Sequence, residues 1–493
     1  MSGFLILLTI FLPLFGGFAI VLTPIKSRKA VLGLSLSITV IAAVLAWILI
    51  LNPPANPVIL FRFIDRFSIA FKIDGMSKVF AGLISSLWPF AVLYSFEYME
   101  HEANENTLKE KTFFGGYVVT FGVTLAISMS ANMLTMYCFY EMLTLVTIPL
   151  ILFTMSREAI RATRLYIIYS LGGAAFAFIA FIFLTAYATT IDFSLGGVLN
   201  LEKIAGREDV LRVVYILAFF GFGVKAAIFP VCSWLPKAGV APTPVTALLH
   251  AVAVVKSGAF AIIRLTYYSF GVRILKGNFA QYIPMAFAIF TIVYGCSMAV
   301  KERHIKRRFA YSTISNLSYV LFAALLMTPL GMTGALTHMV FHGVMKIASF
   351  FCAGAVIVKA HKTYVYELEG FGKKMPKTFF VMSVSALALM GVPGLCGFIS
   401  KWQIAKASID SASIGGYVGL AALLISALLT AIYMLQILIR AYFPTEQETN
   451  VEKCDPSFRM LVPLYAFTIA MVVLGAYSTP LISFFEKVAG GMM

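Results

Sequence analysis

Charge is scarce in this chain. Only 12% of its 493 residues are Asp, Glu, Lys or Arg, and 60% are hydrophobic. A soluble chain carries about 25% charged and about 45–50% apolar residues. The composition therefore excludes an ordinary soluble protein of this length and points to one membrane bundle. Cysteine is also sparse: six residues (138, 232, 296, 352, 396, 454) lie scattered and none forms CxxC. Metal clusters and disulfide frameworks thus have no support, and each thiol reads as a small buried hydrophobe. The chain has neither GxxxxGK[ST] nor a dinucleotide fingerprint, so no cofactor and no ATP hydrolysis are expected. Nor can a nucleophile–base constellation be placed, which argues against an enzyme acting alone. No linker divides the chain; its longest polar stretches are 52–75, 97–111, 189–210 and 442–458.

Apolar runs are what the chain has in abundance. A helix needs about 20 apolar residues to cross the hydrocarbon core. Such runs begin at once (4–24, 30–51, 76–97) and recur to the end (459–485). The expected fold class is an all-α polytopic membrane protein of about fourteen transmembrane helices. The first run is not read as a signal peptide, because no small-residue cleavage site follows it and further spans come directly after.

The net charge of +16 sets orientation rather than partner. With both termini outside, the inner loops hold Lys26, Arg28 and Lys29; Arg157, Arg161 and Arg164; Lys301, Arg303, Lys306, Arg307 and Arg308; and Lys359, Lys362, Lys373, Lys374 and Lys377. That is the positive-inside bias. One inner loop, 97–111, is acidic instead, with Glu97, Glu100, Glu102, Glu105 and Glu110. Acidic residues count little in this rule, so the topology stands, and no nucleic-acid partner is expected.

Segment 57–74 alternates apolar and polar residues and reads as an outer hairpin or strand pair. Two spans, 217–236 and 389–402, are interrupted by Gly and Pro and carry one lysine each, Lys225 and Lys401. Proline removes a backbone hydrogen bond, so both helices are expected to be broken. Paired broken helices in matching halves point to an ion site in repeat-built transporters. The abundant Phe and Tyr are expected at lipid-facing and interfacial positions.

An ionisable residue at helix centre costs about 2.5–3.5 kcal/mol on translocon scales and needs a partner or a hydrated path. Glu141 sits mid-span in NMLTMYCFYEMLTLVTIPL, and Lys225 at the first break is its natural partner. Burial lowers a lysine pKa and a nearby carboxylate raises it, so such a lysine can exchange a proton near neutrality. The competing readings are a polar helix contact for Glu141 and a purely structural salt bridge for the pair. Lys256 follows His250 by six residues. On a regular helix these occupy different faces, so one alone lines the path unless an irregularity turns both inward. Lys256 is the favoured relay group, and His250 can equally be packing.

His338, His342 and Lys346 recur at i, i+4 and i+8 on one face. Two histidines leading to a lysine make a proton wire. A metal site is disfavoured because no Asp or Glu stands nearby in sequence. Lys401 would end the wire toward the outside; its alternative is a snorkelling lysine near a span end.

At these residues the chain resembles the antiporter-like subunits shared by respiratory complex I, complex I-like membrane-bound hydrogenases and Mrp-type sodium/proton antiporters. The likeness runs from roughly residue 60 to 440. It is carried by KAAIFPVCSWLPKAGVAPTPVTALLHAVAVVKSGAFAIIRL (225–265), KRRFAYSTISNLSYV (306–320), HMVFHGVMKIASFFCAGA (338–355) and GVPGLCGFISKW (391–402). The resemblance implies a fourteen-helix fold with two inverted five-helix repeats. It implies Glu141 and Lys225 as the interhelix pair and Lys256 as the connecting lysine. His338, His342 and Lys346 match the central relay, and Lys401 the terminal lysine. Two motifs depart from the family: Cys232 and Lys237 replace the histidine and aspartate of PxHxWLPDA, and His304 stands where an aspartate is usual.

The expected organisation is an N-terminal region 1–111 with the outer hairpin, five-helix repeats 112–268 and 269–441, and a C-terminal loop and helix 442–493. Ending soon after its last span, the chain is expected to lack the lateral helix of the distal complex I subunit. The expected function is proton translocation in a multisubunit redox-driven pump of a prokaryotic plasma membrane. Protons would be taken up near Glu141 and Lys225, pass through Lys256, His338, His342 and Lys346, and leave by Lys401. The partners would be other membrane subunits, with iron–sulfur or hydrogenase subunits handling electrons and sodium possible elsewhere in the assembly. The alternative is a D-type subunit of an Mrp antiporter without redox chemistry. A structural subunit with a defunct channel is a third reading, disfavoured by the insertion cost of so many buried ionisable groups.

Overall fold

The computed structural model describes residues 2–64, 67–102, 107–444 and 452–491. Its principal helices are α1 (Ser2–Leu22), α2 (Arg28–Leu51), α3 (Gly75–Glu102), α4 (Thr107–Ser128), α5 (Met133–Ile151), α6 (Arg157–Tyr187), α7 (Glu208–Gly223), α8 (Thr243–Ala251) and α9 (Val254–Ile263). Then follow α10 (Phe279–Lys301), α11 (Ile305–Leu325), α12 (Pro329–Ala360), α13 (Pro376–Met390), α14 (Cys396–Asp410), α15 (Ile414–Tyr442), α16 (Phe458–Ala476) and α17 (Thr479–Gly490). The expected strand pair forms as β1 (Val58–Ile64) and β2 (Phe67–Phe71), antiparallel, with Val58 opposite Phe71.

Among the described residues eleven helical segments are long and apolar enough to cross a membrane. Helix is the outcome because lipid satisfies no backbone group, and a helix pairs its own. Loop residues end the segments cleanly. Asn132, Ser156, Asn278, Thr328, Ser413 and Ser457 each accept a backbone N–H from the first turn of the helix they precede.

The segments differ in burial. Thr243–Phe270, which includes α8 and α9, is wholly enclosed, and α12 nearly so, while α1, α2, α15 and α16 show more than half of their apolar windows to the exterior. Polar chemistry is therefore concentrated in an inner group of helices with an apolar rim.

Three sequence expectations need amendment. The last apolar run, 459–485, is not one helix: α16 ends at Ala476 and α17 restarts at Thr479. The acidic stretch 97–111 is mostly helix end rather than loop, and Glu105 lies outside the described residues. Glu97 meets Lys359 at 2.7 Å and Glu110 meets Arg28 at 2.8 Å, so two of its acids are buried and paired with the basic loops. Aromatic side chains are not confined to the rim. Trp88, Trp234, Tyr94, Tyr117, Tyr140, Tyr319 and Tyr433 are fully enclosed. The five tyrosine hydroxyls and the Trp234 indole reach partners inside the bundle, as buried Tyr and Trp usually do.

Candidate functional site

Both broken helices are present where Gly and Pro predicted them. After α7 ends at Gly223 the chain runs as turns to a short helix, Trp234–Lys237. Carbonyls at the break take a side-chain donor besides their backbone one. Tyr140 Oη donates to Phe222 O at 3.1 Å, and Trp234 Nε1 donates to Val224 O at 2.8 Å. Lys225 stands in this break, buried. Its Nζ donates to Tyr140 O, lies 3.5 Å above the Tyr140 ring, and is 3.9 Å from Glu141 Oε1. Among the described residues that Glu141 oxygen has no hydrogen-bond partner. A carboxylate oxygen without a hydrogen bond, 3.9 Å from an ammonium, makes a loose pair, able to tighten or release.

The break packs directly on the next relay helix. A Cβ on Gly258 of α9 would meet the Lys225–Ala226 backbone, so only glycine permits this approach. Between α8 and α9 the helix is interrupted at Val252 and Ala253. This irregularity reconciles the six-residue spacing of His250 and Lys256, because both now face α12. His250 packs on Phe350 with ring centroids 4.9 Å apart, and among the described residues neither of its nitrogens has a partner. Lys256 Nζ is 2.9 Å from His342 Nδ1.

Along α12 the i, i+4, i+8 stack forms as its spacing requires. The His338 and His342 rings are stacked with centroids 5.6 Å apart, and His338 Nδ1 is 2.9 Å from Ser400 Oγ on α14. Lys256 meets the middle member of the stack, so the string divides there. One arm runs His342–His338–Ser400. The other side of the stack holds Lys346, whose Nζ donates to Ser312 Oγ at 2.6 Å and to Phe309 O at 3.3 Å. Lys401 follows Ser400 and donates to Leu389 O at 2.7 Å and Met390 O at 3.1 Å. It thereby neutralises the carbonyl end of α13, where a cation is favoured. Gly391 closes that helix at φ +92°, a conformation few other residues adopt.

Sequence reasoning missed the hydroxyls. Ser312 is 2.5 Å from Tyr433 Oη, which donates to Thr430 Oγ1 at 3.3 Å. Ser426 joins Tyr319 Oη at 2.7 Å, Ser315 at 3.0 Å and Cys296 Sγ at 2.7 Å. The available signal was the i, i+4, i+7 stripe of Ser426, Thr430 and Tyr433 in the otherwise lipid-like α15. Among the described residues no group of three His, Cys, Asp or Glu side chains converges to hold a metal. Cys232 lies in the first break, Lys237 ends its short helix and His304 precedes α11, all outside this string.

A bundle with two broken helices and a central line of buried lysines and histidines defines an antiporter-like membrane subunit. The chain belongs to the transmembrane NADH:quinone oxidoreductase/Mrp antiporter family, which it matches over residues 130–430. It is 28% identical over 430 residues to NADH-quinone oxidoreductase subunit N of Desulforudis audaxviator, covering 84% of this chain and 83% of that one. Its fold is similar to a chain of an archaeal membrane-bound sulfane sulfur reductase, with TM-score 0.84 and 22% identity, covering 99% and 97% of the two chains. It is equally similar to a chain of the Mrp complex from Dietzia sp. DQ12-45-1b, with TM-score 0.85 and 19% identity, covering 100% and 97%.

Proposed function

We propose that this subunit carries protons across a prokaryotic plasma membrane along Glu141, Lys225, Lys256, His342, His338 and Lys401, with Lys346 on a side arm and His250 flanking it. The observation that carries the reading is the Lys256–His342 contact at 2.9 Å, enclosed between two broken helices. Protonation of either group weighs on the other, so charge placed at one end of the string is felt along it. Binding of a proton at Lys225 would be gated by the loose Glu141 pair, and release by the Lys401 cap on α13.

In this reading α7 with its short partner, α11, and the α13–α14 pair add three crossings to the eleven, completing fourteen with both termini outside. Residues 112–268 and 269–441 would be the two inverted repeats, between the N-terminal region 1–111 and the C-terminal 442–493. The partners would be further membrane subunits of a complex. A redox-driven pump, with electrons handled by iron–sulfur or hydrogenase subunits, is the favoured setting, since the subunit N relative belongs by name to an oxidoreductase. The likeness to the Mrp complex keeps a redox-free antiporter, with sodium carried elsewhere in the assembly, as the second reading.

Gentle detergent purification followed by mass spectrometry of the subunits separates the two. Iron–sulfur or nickel–iron subunits are expected. A set of small membrane proteins alone would overturn the redox assignment.

Ser312 gives a finer test of the side arm. Ser312→Ala should slow proton translocation by the assembled complex by about tenfold, roughly the effect of losing one charge-assisted hydrogen bond of about 1.5 kcal/mol. Dye-quench rates in proteoliposomes would read it, and an unchanged rate would remove the hydroxyl arm from the path.

A further inference from the structure

Two cavities adjoin at the hairpin end of the bundle. The first, about 690 Å³, is walled by Trp47 of α2, Leu83 of α3, Val340 and Val344 of α12, and Ala470 and Leu474 of α16, with Lys78 as its only charge. The second, about 440 Å³, opens beside it and shares Phe484 of α17; it is lined by Lys72 and Lys487. The one carboxylate lining it, Asp74, is held by Arg264 at 2.6 and 2.7 Å, and among the described residues no acid pairs with Lys72, Lys78 or Lys487. An apolar slot with Lys78 on its wall thus runs into a pocket lined by Lys72 and Lys487, and among the described residues none of the three ammonium groups has an acidic partner.

We propose that the two cavities together bind one anionic phospholipid, its acyl chain in the slot and its phosphodiester among Lys72, Lys78 and Lys487. The chemistry is complementary throughout. The slot offers mainly apolar area to a chain, and basic clusters at the bilayer surface select anionic headgroups. The lipid also meets the relay helix. Val340 and Val344 stand two residues out of step with His338, His342 and Lys346, about 200° around α12. The same two turns that present the relay groups inward therefore present their backs to the slot. If the proton path above holds, an occupied slot buttresses that helix and proton translocation becomes sensitive to lipid; the binding itself does not depend on that reading.

The test uses the intact complex in nanodiscs of mixed phosphatidylglycerol and phosphatidylcholine, with cardiolipin replacing phosphatidylglycerol in a second arm to identify the headgroup. Retained lipid is counted by native mass spectrometry. The parent complex should retain anionic lipid preferentially. The joint variant Lys72→Gln, Lys78→Gln, Lys487→Gln should lose that preference, by about fivefold for each lysine removed. The slot-filling Ala470→Trp variant should lose the retained lipid while still assembling. Equal lipid counts and equal preference in all three complexes would overturn the proposal. So would cross-linking of an Ala470→Cys variant to a neighbouring subunit, which would show a protein helix in the slot.

Discussion

Replacing Lys346 by methionine should leave the complex assembled and cut its proton translocation at least about tenfold, a rise of ~1.4 kcal/mol or more in the limiting barrier. Lys346 is fully enclosed, its ammonium is held by Ser312 Oγ and Phe309 O, and among the described residues no carboxylate pairs with it. A buried charge without a counter-ion stabilises nothing by its presence, since desolvation exceeds what two neutral acceptors return. Methionine has a similar length and fills the space without a charge, so folding and assembly should be retained or improved. What disappears is a protonatable group one turn along α12 from His342 that meets the Ser312–Tyr433 hydroxyls. Subunit stoichiometry and dye-quench rates measured on the same preparation check both halves. A complex that fails to assemble would show that Lys346 is structural, and one that translocates normally would show that the arm is idle.

The largest effect on stability should come from Asp74→Ala. Arg264 is buried and its guanidinium is held by Asp74 through two bonds, at 2.6 and 2.7 Å, with Ser77 Oγ at 3.1 Å. Removing one partner of such a pair strands a buried charge, at a cost of about 3–5 kcal/mol. The affected region is the hairpin end, where Arg264 lies between the rings of Phe193, Phe260 and Tyr268. The pH dependence follows from the same pair. Burial pushes the Asp74 carboxyl up, and the Arg264 guanidinium with Ser77 outweighs it, holding the group below its ordinary value. A depressed folded value means that the stabilisation is fully present above the unfolded carboxylate value, about 3.9. It is lost as pH falls through the still lower folded value. Thermal unfolding in detergent should therefore show a markedly lower midpoint for Asp74→Ala at neutral pH, with the difference from the parent narrowing only in strong acid. An unchanged midpoint at neutral pH would mean that Arg264 finds other acceptors.

Most of this site was legible in the sequence because membrane insertion makes ionisable residues conspicuous. Glu141, Lys225, Lys256 and the α12 triad stood out against apolar surroundings, and helical spacing alone aligned His338, His342 and Lys346. Glycine and proline marked both breaks. The hydroxyl partners were not legible, because serine, threonine and tyrosine cost little in a span and are common there. Ser400 and Ser312 gain meaning only when α14 and α11 are seen against α12. The order along the string was hidden for a related reason: spacing gives the stack on α12 but not which member Lys256 meets. His250 and Lys256 could be placed on one side only once the interruption at Val252 and Ala253 was visible. No proline or glycine stands at those two positions to announce it.

The pair at the first break is where the proposed path begins, and two variants of the reconstituted complex test it most directly. Proton translocation should be lost in both Lys225→Ala and Glu141→Ala complexes that retain their full subunit set. Translocation at the parent rate by either one would show that protons do not pass through this pair.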